Sequence, residues 1–147
     1  EIKECDWSSD VCSSDLLFYF YLKENTMAFT FAIDTSAGDG DGSVRVATWS
    51  GGATGDSGAG VQLPEWSDNC VQVTGTFGGA TVTIEGSNDG SNWVTLNNAQ
   101  GTALSLTAAG LKQIVERPRY IRPTVTGGAA SAMIVVLLMR RANPMRT

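Results

Sequence analysis

A strict alternation of apolar and polar residues, interrupted by turn-forming residues, is the feature of this sequence that most limits its possible folds. It is clearest in "ATVTIEGSNDGSNWVTL", where Val82 and Ile84 alternate with threonine and glutamate. Successive side chains of a strand point to opposite sides, so this pattern predicts a strand with one apolar and one hydrated face. The "NDGS" segment tolerates the positive φ of a tight turn. Val94 and Leu96 then resume the alternation, with Trp93 on the opposite side, and the whole segment is predicted to be a β-hairpin.

The segment before this hairpin has the same character. In "VQVTGTFGGA", Val71, Val73 and Phe77 share one side, and Gly78 and Gly79 provide the next turn. Together with the hairpin, this strand is predicted to form a three-stranded meander, which is the smallest sheet expected to be stable.

Short runs of Val, Ile and Thr bounded by Gly, Asn and Asp recur along the chain, which is typical of an all-β domain. Only "TAAGLKQIVE" permits a helix, and Gly110 weakens it, so this segment is interpreted as a turn with a short helix or strand. We predict an antiparallel β-sandwich or barrel of jelly-roll type. Its eight predicted strands are 28–33, 43–49, 71–77, 80–86, 92–96, 103–107, 120–126 and 132–139.

The last predicted strand, within "AMIVVLLM", is apolar on both faces. Its seven apolar residues, from Met133 to Met139, are too few to cross a bilayer, which takes about 20 residues. The strand is therefore either central and buried on both sides, or covered on one face by a partner.

The first 26 residues do not share this pattern. Residues 1–16 resemble a translated sequencing adapter, and residues 17–26 resemble a translated ribosome-binding region upstream of Met27. A short apolar strand or signal-like segment is the alternative for residues 17–26. Such segments are excluded from fold reasoning. We expect residues 1–26 to be non-native and disordered and residues 27–147 to form one domain, with an N-terminal strand and arm at 27–60 and a sandwich core at 61–147.

Composition argues against several classes of function. The chain has 15 acidic and ten basic residues, but six of those acids and two of those bases fall within residues 1–26. The remainder carries a net charge of −1 and no basic patch, so neither a nucleic-acid nor a membrane partner is expected. Histidine is absent, and Cys70 is the only cysteine after Met27. No enzyme activity, cofactor or metal is expected, because the commonest general base and metal ligand is missing.

The acidic segment "GDGDGS" invites comparison with a calcium-binding loop. Asp39 and Asp41 fit the first two ligand positions of an EF-hand loop, but Ser43 and Val44 occupy the third ligand position and the required glycine. A solvated acidic loop is the favoured interpretation.

The turn "GSNDGSNW" resembles a turn of discoidin-like modules that bind carbohydrates and lipids. In such a site, exposed aromatic rings stack on sugars, and Trp49, Trp66 and Trp93 are available for that role. The favoured alternative is that Trp93 packs over the hairpin and stabilises the sheet, because aromatic side chains bury large apolar areas.

A second candidate site is "ERPRYIRPTV". Strand alternation places Arg119 and Ile121 on one face and Tyr120 and Arg122 on the other. The segment is interpreted as a site for docking an anion or a protein, or as an edge strand protected by charge and proline. The candidate interface residues of the chain are Trp49, Trp66, Arg119, Tyr120 and Arg122.

Between Val61 and Arg141 the chain resembles a family of small tailed-phage proteins. The resemblance rests on "VQLPEWSDNCVQVTGTFGGATVTIEGSNDGSNWVTL", then "QGTAL", "LKQIVERPRYIRPTVTGG" and the final apolar strand. It covers about two thirds of residues 27–147 and is most specific in "GTFGGATVTIEGSNDGSNW" and "PRYIRP". Members of this family are encoded among head genes and described as virion structural or capsid decoration proteins.

The resemblance implies a non-enzymatic β-sandwich or barrel that is made in the bacterial cytoplasm and binds the outside of the phage head. Its implied partners are the major capsid protein and copies of the chain itself. Because glycine-rich loops that order on docking can wrap a neighbour, residues 28–60 are expected to form an arm against one of these partners. The alternative is a carbohydrate-binding or adhesin module of a head or tail fibre.

Overall fold

The five longest strands of this protein alternate in burial along most of their length, as the sequence pattern predicts. The structure, a computed structural model, describes residues 29–37, 42–63 and 65–141 and contains no helix within those ranges. The strands are β1 (Thr30–Asp34), β2 (Val44–Gly52), β3 (Val61–Gln62), β4 (Trp66–Thr76), β5 (Thr81–Ser87), β6 (Val94–Thr95), β7 (Ser105–Leu106), β8 (Gly110–Ile114), β9 (Tyr120–Thr126) and β10 (Ser131–Arg141).

These strands form two antiparallel five-stranded sheets that pack face to face. Sheet A has the order β1-β2-β10-β4-β8, and sheet B has the order β3-β9-β5-β6 with β7 also paired to β5. The all-β sandwich predicted from the sequence is confirmed. It has ten strands rather than eight, because β3 and β8 are added to the predicted set.

The predicted strand at 80–86 is confirmed as β5, with Val82 and Ile84 fully buried in the core. Its partner β6 departs from the prediction. Leu96 faces inward as expected, but Val94 is 69% exposed. Val94 pairs with Gly86, and the inner side of that glycine is occupied by Leu96 and Pro118, so no room remains there for the Val94 side chain.

The predicted three-stranded meander is wrong. β4 pairs with β10 and β8 in sheet A, whereas β5 pairs with β9, β6 and β7 in sheet B. The turn at Gly78 and Gly79, with φ of 53° and 80°, carries the chain from one sheet to the other. Both strands still bury their apolar sides, but they do so by facing each other across the core rather than by pairing edge to edge.

The core lies between the sheets, and β10 is its central strand in sheet A. Met133, Val135, Leu137 and Met139 alternate along β10 and are at most 1% exposed. They lie on the same side of the sheet as Val71 and Val73 of β4 and Ala47 and Trp49 of β2. β10 is therefore central within its sheet, yet only one of its two apolar faces is covered by other described segments.

Residues 28–60 are predicted to form an arm against a partner, and in the described part of that range β1 and β2 belong to sheet A. β2 lies between β1 and β10 in sheet A, and its Ala47 and Trp49 are core residues. Phe29 is also buried, with its ring packed where a Cβ on Gly52 would otherwise stand. The apolar alternation of β2 is satisfied only inside the sandwich, which is why this segment is integral to the fold.

β10 begins with an irregularity. Its register with β2 shifts between Met133 and Ile134, and its register with β4 shifts between Ser131 and Ile134. Ala132 adopts φ 51°, the only positive φ of a non-glycine residue in the described chain. Gly75 of β4 lies against it, and a Cβ on that glycine would stand 2.7 Å from the Ala132 carbonyl oxygen. These features define a β-bulge at the start of the strand.

The two faces of β10 are expected to respond differently to truncation. Leu137→Ala should lower the free energy of unfolding by about 2–5 kcal/mol, because it opens a cavity in a fully packed core. Ile134→Ala, on the opposite face of the same strand, should change it by about 1 kcal/mol or less. Urea unfolding followed by tryptophan fluorescence measures both values. Equal losses for the two variants would contradict the assignment of the inner and outer faces.

Candidate functional site

The outer surface of sheet A has an apolar centre that no other described segment covers. Ile134, Val136 and Leu138 of β10 lie on it between Val46 of β2 and the neighbouring strand β4. Leu111 of β8 extends it beyond β4 and is 63% exposed. We call these five residues the apolar face. The five residues lie on β2, β10 and β8, and the outward residues Cys70 and Gln72 of β4 lie between β10 and β8. An exposed apolar cluster is typical of an interaction site.

The apolar face contains a shallow depression of about 540 Å³, formed by side chains of β2, β4, β8 and β10. Cys70 lies in it, half-buried, and burial raises the pKa of its thiol despite the opposing effect of the Arg140 guanidinium. Its thiolate fraction at neutral pH is therefore low, which makes it a poor nucleophile. Asp68 and Arg140, which are paired across β4 and β10, provide the only charges lining the depression.

The outer surface of sheet B is polar, and its charges are neutralised internally. Arg122 Nε donates to Glu85 Oε2 at 2.9 Å, and Thr124 Oγ1 donates to the same oxygen at 3.0 Å. The Arg122 guanidinium also lies over the Trp93 ring, 4.1 Å from its centroid. Because Arg122 already contacts both a carboxylate and an aromatic ring, it is held in place by its own sheet.

Two of the predicted interface residues are core residues. Trp49 is 1% exposed, and its Nε1 donates to the Ala59 carbonyl at 2.8 Å. Trp66 is 6% exposed and has the guanidinium of Arg45 over its ring at 5.0 Å. The expectation that these rings are presented at the surface is corrected, because each begins or continues the buried alternation of its strand.

The other three predicted residues lie together at the start of β9. Tyr120 and Arg122 face outward on sheet B, and the Arg119 guanidinium lies 5.2 Å from the centroid of the Tyr120 ring. Ile121 points into the core, as the alternation predicts. The interpretation of this segment as an edge strand is wrong, because β9 lies between β3 and β5. Pro123 is tolerated there because β3 begins only at Val61, opposite Ile121, so no residue of β3 lies opposite the proline.

The polar groups of the "SNDGSNW" turn bond to one another. The Asp89 carboxylate accepts hydrogen bonds from the Asn92 and Ser91 amides at 2.8 Å, from the Asn92 side chain at 2.6 Å and from Ser87 Oγ at 2.9 Å. These bonds, those from Asn92 foremost, lower the pKa of Asp89 far below its usual range. Gly90 completes the turn with φ 79°. The turn is thus explained by local structure, without a bound sugar.

Within the three described ranges, no group of three or more His, Cys, Asp or Glu residues is placed to hold a metal ion. The loop containing Asp39 and Asp41 lies outside the described residues. The search for membrane-spanning helices in the described chain found none of sufficient length and apolarity.

Comparison of this chain with protein-family models, with curated proteins and with solved structures gives no match.

The Asp89 turn is expected to contribute stability in a pH-dependent manner. Because the pKa of Asp89 is lowered by folding, its stabilising contribution is present above the ordinary aspartate pKa of about 4 and is lost as the pH falls further. Asp89→Asn should therefore lower the urea midpoint at pH 7, and the difference from wild type should shrink at pH values below about 4. Asp68→Asn, an exposed carboxylate outside the turn, is the control. A difference for Asp89→Asn that is the same at both pH values would contradict this account.

Proposed function

We propose that this chain is a non-enzymatic structural protein of a tailed-phage virion, which decorates the head by binding the major capsid protein lattice. Two lines of reasoning support the proposal. The sequence resembles the phage family in "GTFGGATVTIEGSNDGSNW" and "PRYIRP", and the sandwich carries the apolar face on the outside of sheet A. The apolar face is the observation that supports a docking role. Its side chains point outward from the described chain and have no polar partners.

The two motifs of the resemblance occupy structural positions. The first motif covers the end of β4, the crossing turn at Gly78 and Gly79, the whole of β5 and the Asp89 turn. The second begins β9 and supplies Tyr120 and Arg122 to the outer surface of sheet B. Residues that build a sheet crossing and its adjoining strands preserve a scaffold rather than a catalytic centre, which is what a head-binding module requires.

The chemistry of the apolar face defines its partner. It offers branched aliphatic side chains, with one acid and one base placed opposite each other at its end in Asp68 and Arg140. Charged partner surfaces would lose hydration against it without gaining a counter-charge. A complementary patch on the capsid protein is therefore expected to be apolar and close to neutral.

The size of the face sets the strength of a single contact. Four strands spaced about 4.8 Å apart, with about six residues of each exposed at 3.3 Å per residue, give a surface of a few hundred Å². This is below the roughly 800 Å² per partner of a stable interface. Decoration of a head would thus depend on many copies binding a repeating lattice, where a second contact between the same bodies becomes effectively intramolecular.

The carbohydrate-binding alternative receives less support from the geometry. Trp49 and Trp66 are buried, and one side of the Trp93 ring is covered by Arg122. The polar side chains of the adjacent turn are engaged with each other. Little stacking surface is left for a sugar ring.

Charge placed on the apolar face is expected to weaken binding to the head. The double variant Leu111→Asp with Ile134→Asp should bind heads assembled without this chain at least about tenfold more weakly than wild type, because a buried carboxylate loses its hydration. Val94→Asp is the matched control, since Val94 is also an exposed apolar residue of an edge strand but belongs to sheet B. Co-sedimentation of heads with increasing amounts of protein measures the affinity.

Three outcomes would count against the proposal. The first is that wild-type protein sediments with heads no better than an unrelated sandwich protein does. The second is that the double variant binds heads as tightly as wild type. The third is that Val94→Asp loses as much binding as the double variant. Thermal unfolding of each variant, with a midpoint close to wild type, shows that any loss is not due to misfolding.

A further inference from the structure

Strand β1 gives sheet A an open edge. Its described backbone pairs only with β2, over the five residues from Thr30 to Asp34. The opposite edge of the sheet is covered at one end, because Asn98 bridges to Ile114 of β8 and the Val115 amide donates to the Asn97 carbonyl. The edge strands of sheet B are only two residues long. β1 is therefore the longest edge with no described segment beside it, and such edges are templates for another strand.

The side chains of this edge are also unusual. Phe31 is 37% exposed and Ile33 is 45% exposed, although both lie on the core side of sheet A. The Phe31 ring contacts the Trp49 ring, with centroids 5.3 Å apart. The apolar surface of the core therefore extends along β1 to a position that sheet B does not cover. None of the five residues is Lys, Arg or Pro, the residues that commonly block association at an edge.

We propose that two copies of this chain associate through β1, as antiparallel strands about a twofold axis at Ala32, to form one continuous ten-stranded sheet. The sequence "TFAID" is self-complementary in this register. Ala32 lies opposite its own copy, Phe31 lies opposite Ile33, and Thr30 lies opposite Asp34. The two Asp34 carboxylates are then held about 13 Å apart along the strands, at opposite ends of the pair.

The apolar pairs and the backbone would hold the two copies together. Phe31 and Ile33 of one copy meet Ile33 and Phe31 of the other on the same side of the sheet, and aromatic–aliphatic pairs of this kind stabilise antiparallel strands. The polar ends need no new partner, since Thr30 Oγ1 donates to the Ser50 carbonyl and Asp34 accepts two hydrogen bonds from Ser36. No strand of a different sequence is needed, because two copies of β1 are complementary to each other in this register.

This association is independent of head binding and goes beyond the proposed function. A five-residue strand pair buries less area than a standard interface, so its dissociation constant is expected in the micromolar to millimolar range, about 10 µM to 1 mM. Sedimentation equilibrium of the full chain across that range should show a reversible monomer–dimer equilibrium.

Two matched variants locate the interface. Ile33→Lys places a charge within the proposed pair and should leave the chain monomeric at concentrations where wild type is half dimeric. Val94→Lys places the same charge on an exposed apolar residue of an edge strand of sheet B, and it should dimerise as wild type does. A monomeric wild type, loss of dimer with Val94→Lys, or wild-type dimerisation of Ile33→Lys would overturn the proposal.

A cross-link tests the register. With Cys5, Cys12 and Cys70 replaced by Ser, Ala32→Cys should form a disulfide-linked dimer on mild oxidation, because directly opposed residues in antiparallel strands have Cα atoms about 4.5–5.5 Å apart, within the range a disulfide spans. Gln113→Cys, an exposed residue of β8, should not. Equal cross-linking of both variants, or of neither, would contradict the twofold arrangement at Ala32.

Discussion

Burial of one apolar face of each sheet against the other sheet is the interaction on which the whole structure depends. The inner residues of β10, with Leu137 at their centre, belong to one buried cluster with the inner residues of β5 and β9, and β2 and β4 flank them in sheet A. Burial of apolar surface is the main favourable contribution to folding, and this sandwich obtains it from a single layer of side chains between two sheets. The outer surfaces are then free to differ, and they do.

That difference separates scaffold from site. On sheet B, Glu85 accepts hydrogen bonds from Arg122 and Thr124, and Arg122 also lies over the Trp93 ring, so these polar groups of the outer surface are paired with one another. On sheet A, the side chains of the apolar face have no comparable polar partners, and only hydrophobic contact would stabilise them. Trp49 and Trp66 thus belong to the core, and Arg122 is held by contacts within the protein, whereas aliphatic residues form the candidate docking surface.

The sequence predicts which side of a strand is buried better than it predicts which strands pair with each other. The alternation in β5 and β9 identified which side chains are buried, and β9 was placed at its observed bounds, because a period of two reports directly on one strand. Alternation contains no information on which strand pairs with which, so β4 and β5 were assigned to one sheet although they lie in two. β8 was ambiguous because Gly110 and Lys112 interrupt its apolar residues. Trp49 and Trp66 were misplaced because a tryptophan beside a polar loop has the same sequence context whether it is buried or exposed.

A strand that is apolar on both sides can pair with its neighbours in more than one register, and the bulge at Ala132 helps to fix the register of β10. In most strands, sliding the pairing by one residue would turn polar groups into the core, and this penalty enforces a single alignment. For β10 the penalty is small, because a slid strand would still bury Ile134, Val136 and Leu138. Its alignment is therefore fixed at its two ends, by the left-handed kink that only Gly75 can accommodate and by the charged residues from Arg140 onward. Insertion or loss of a single residue near the kink would allow the strand to shift and exchange its hidden and displayed sides without unfolding the rest of the sheet.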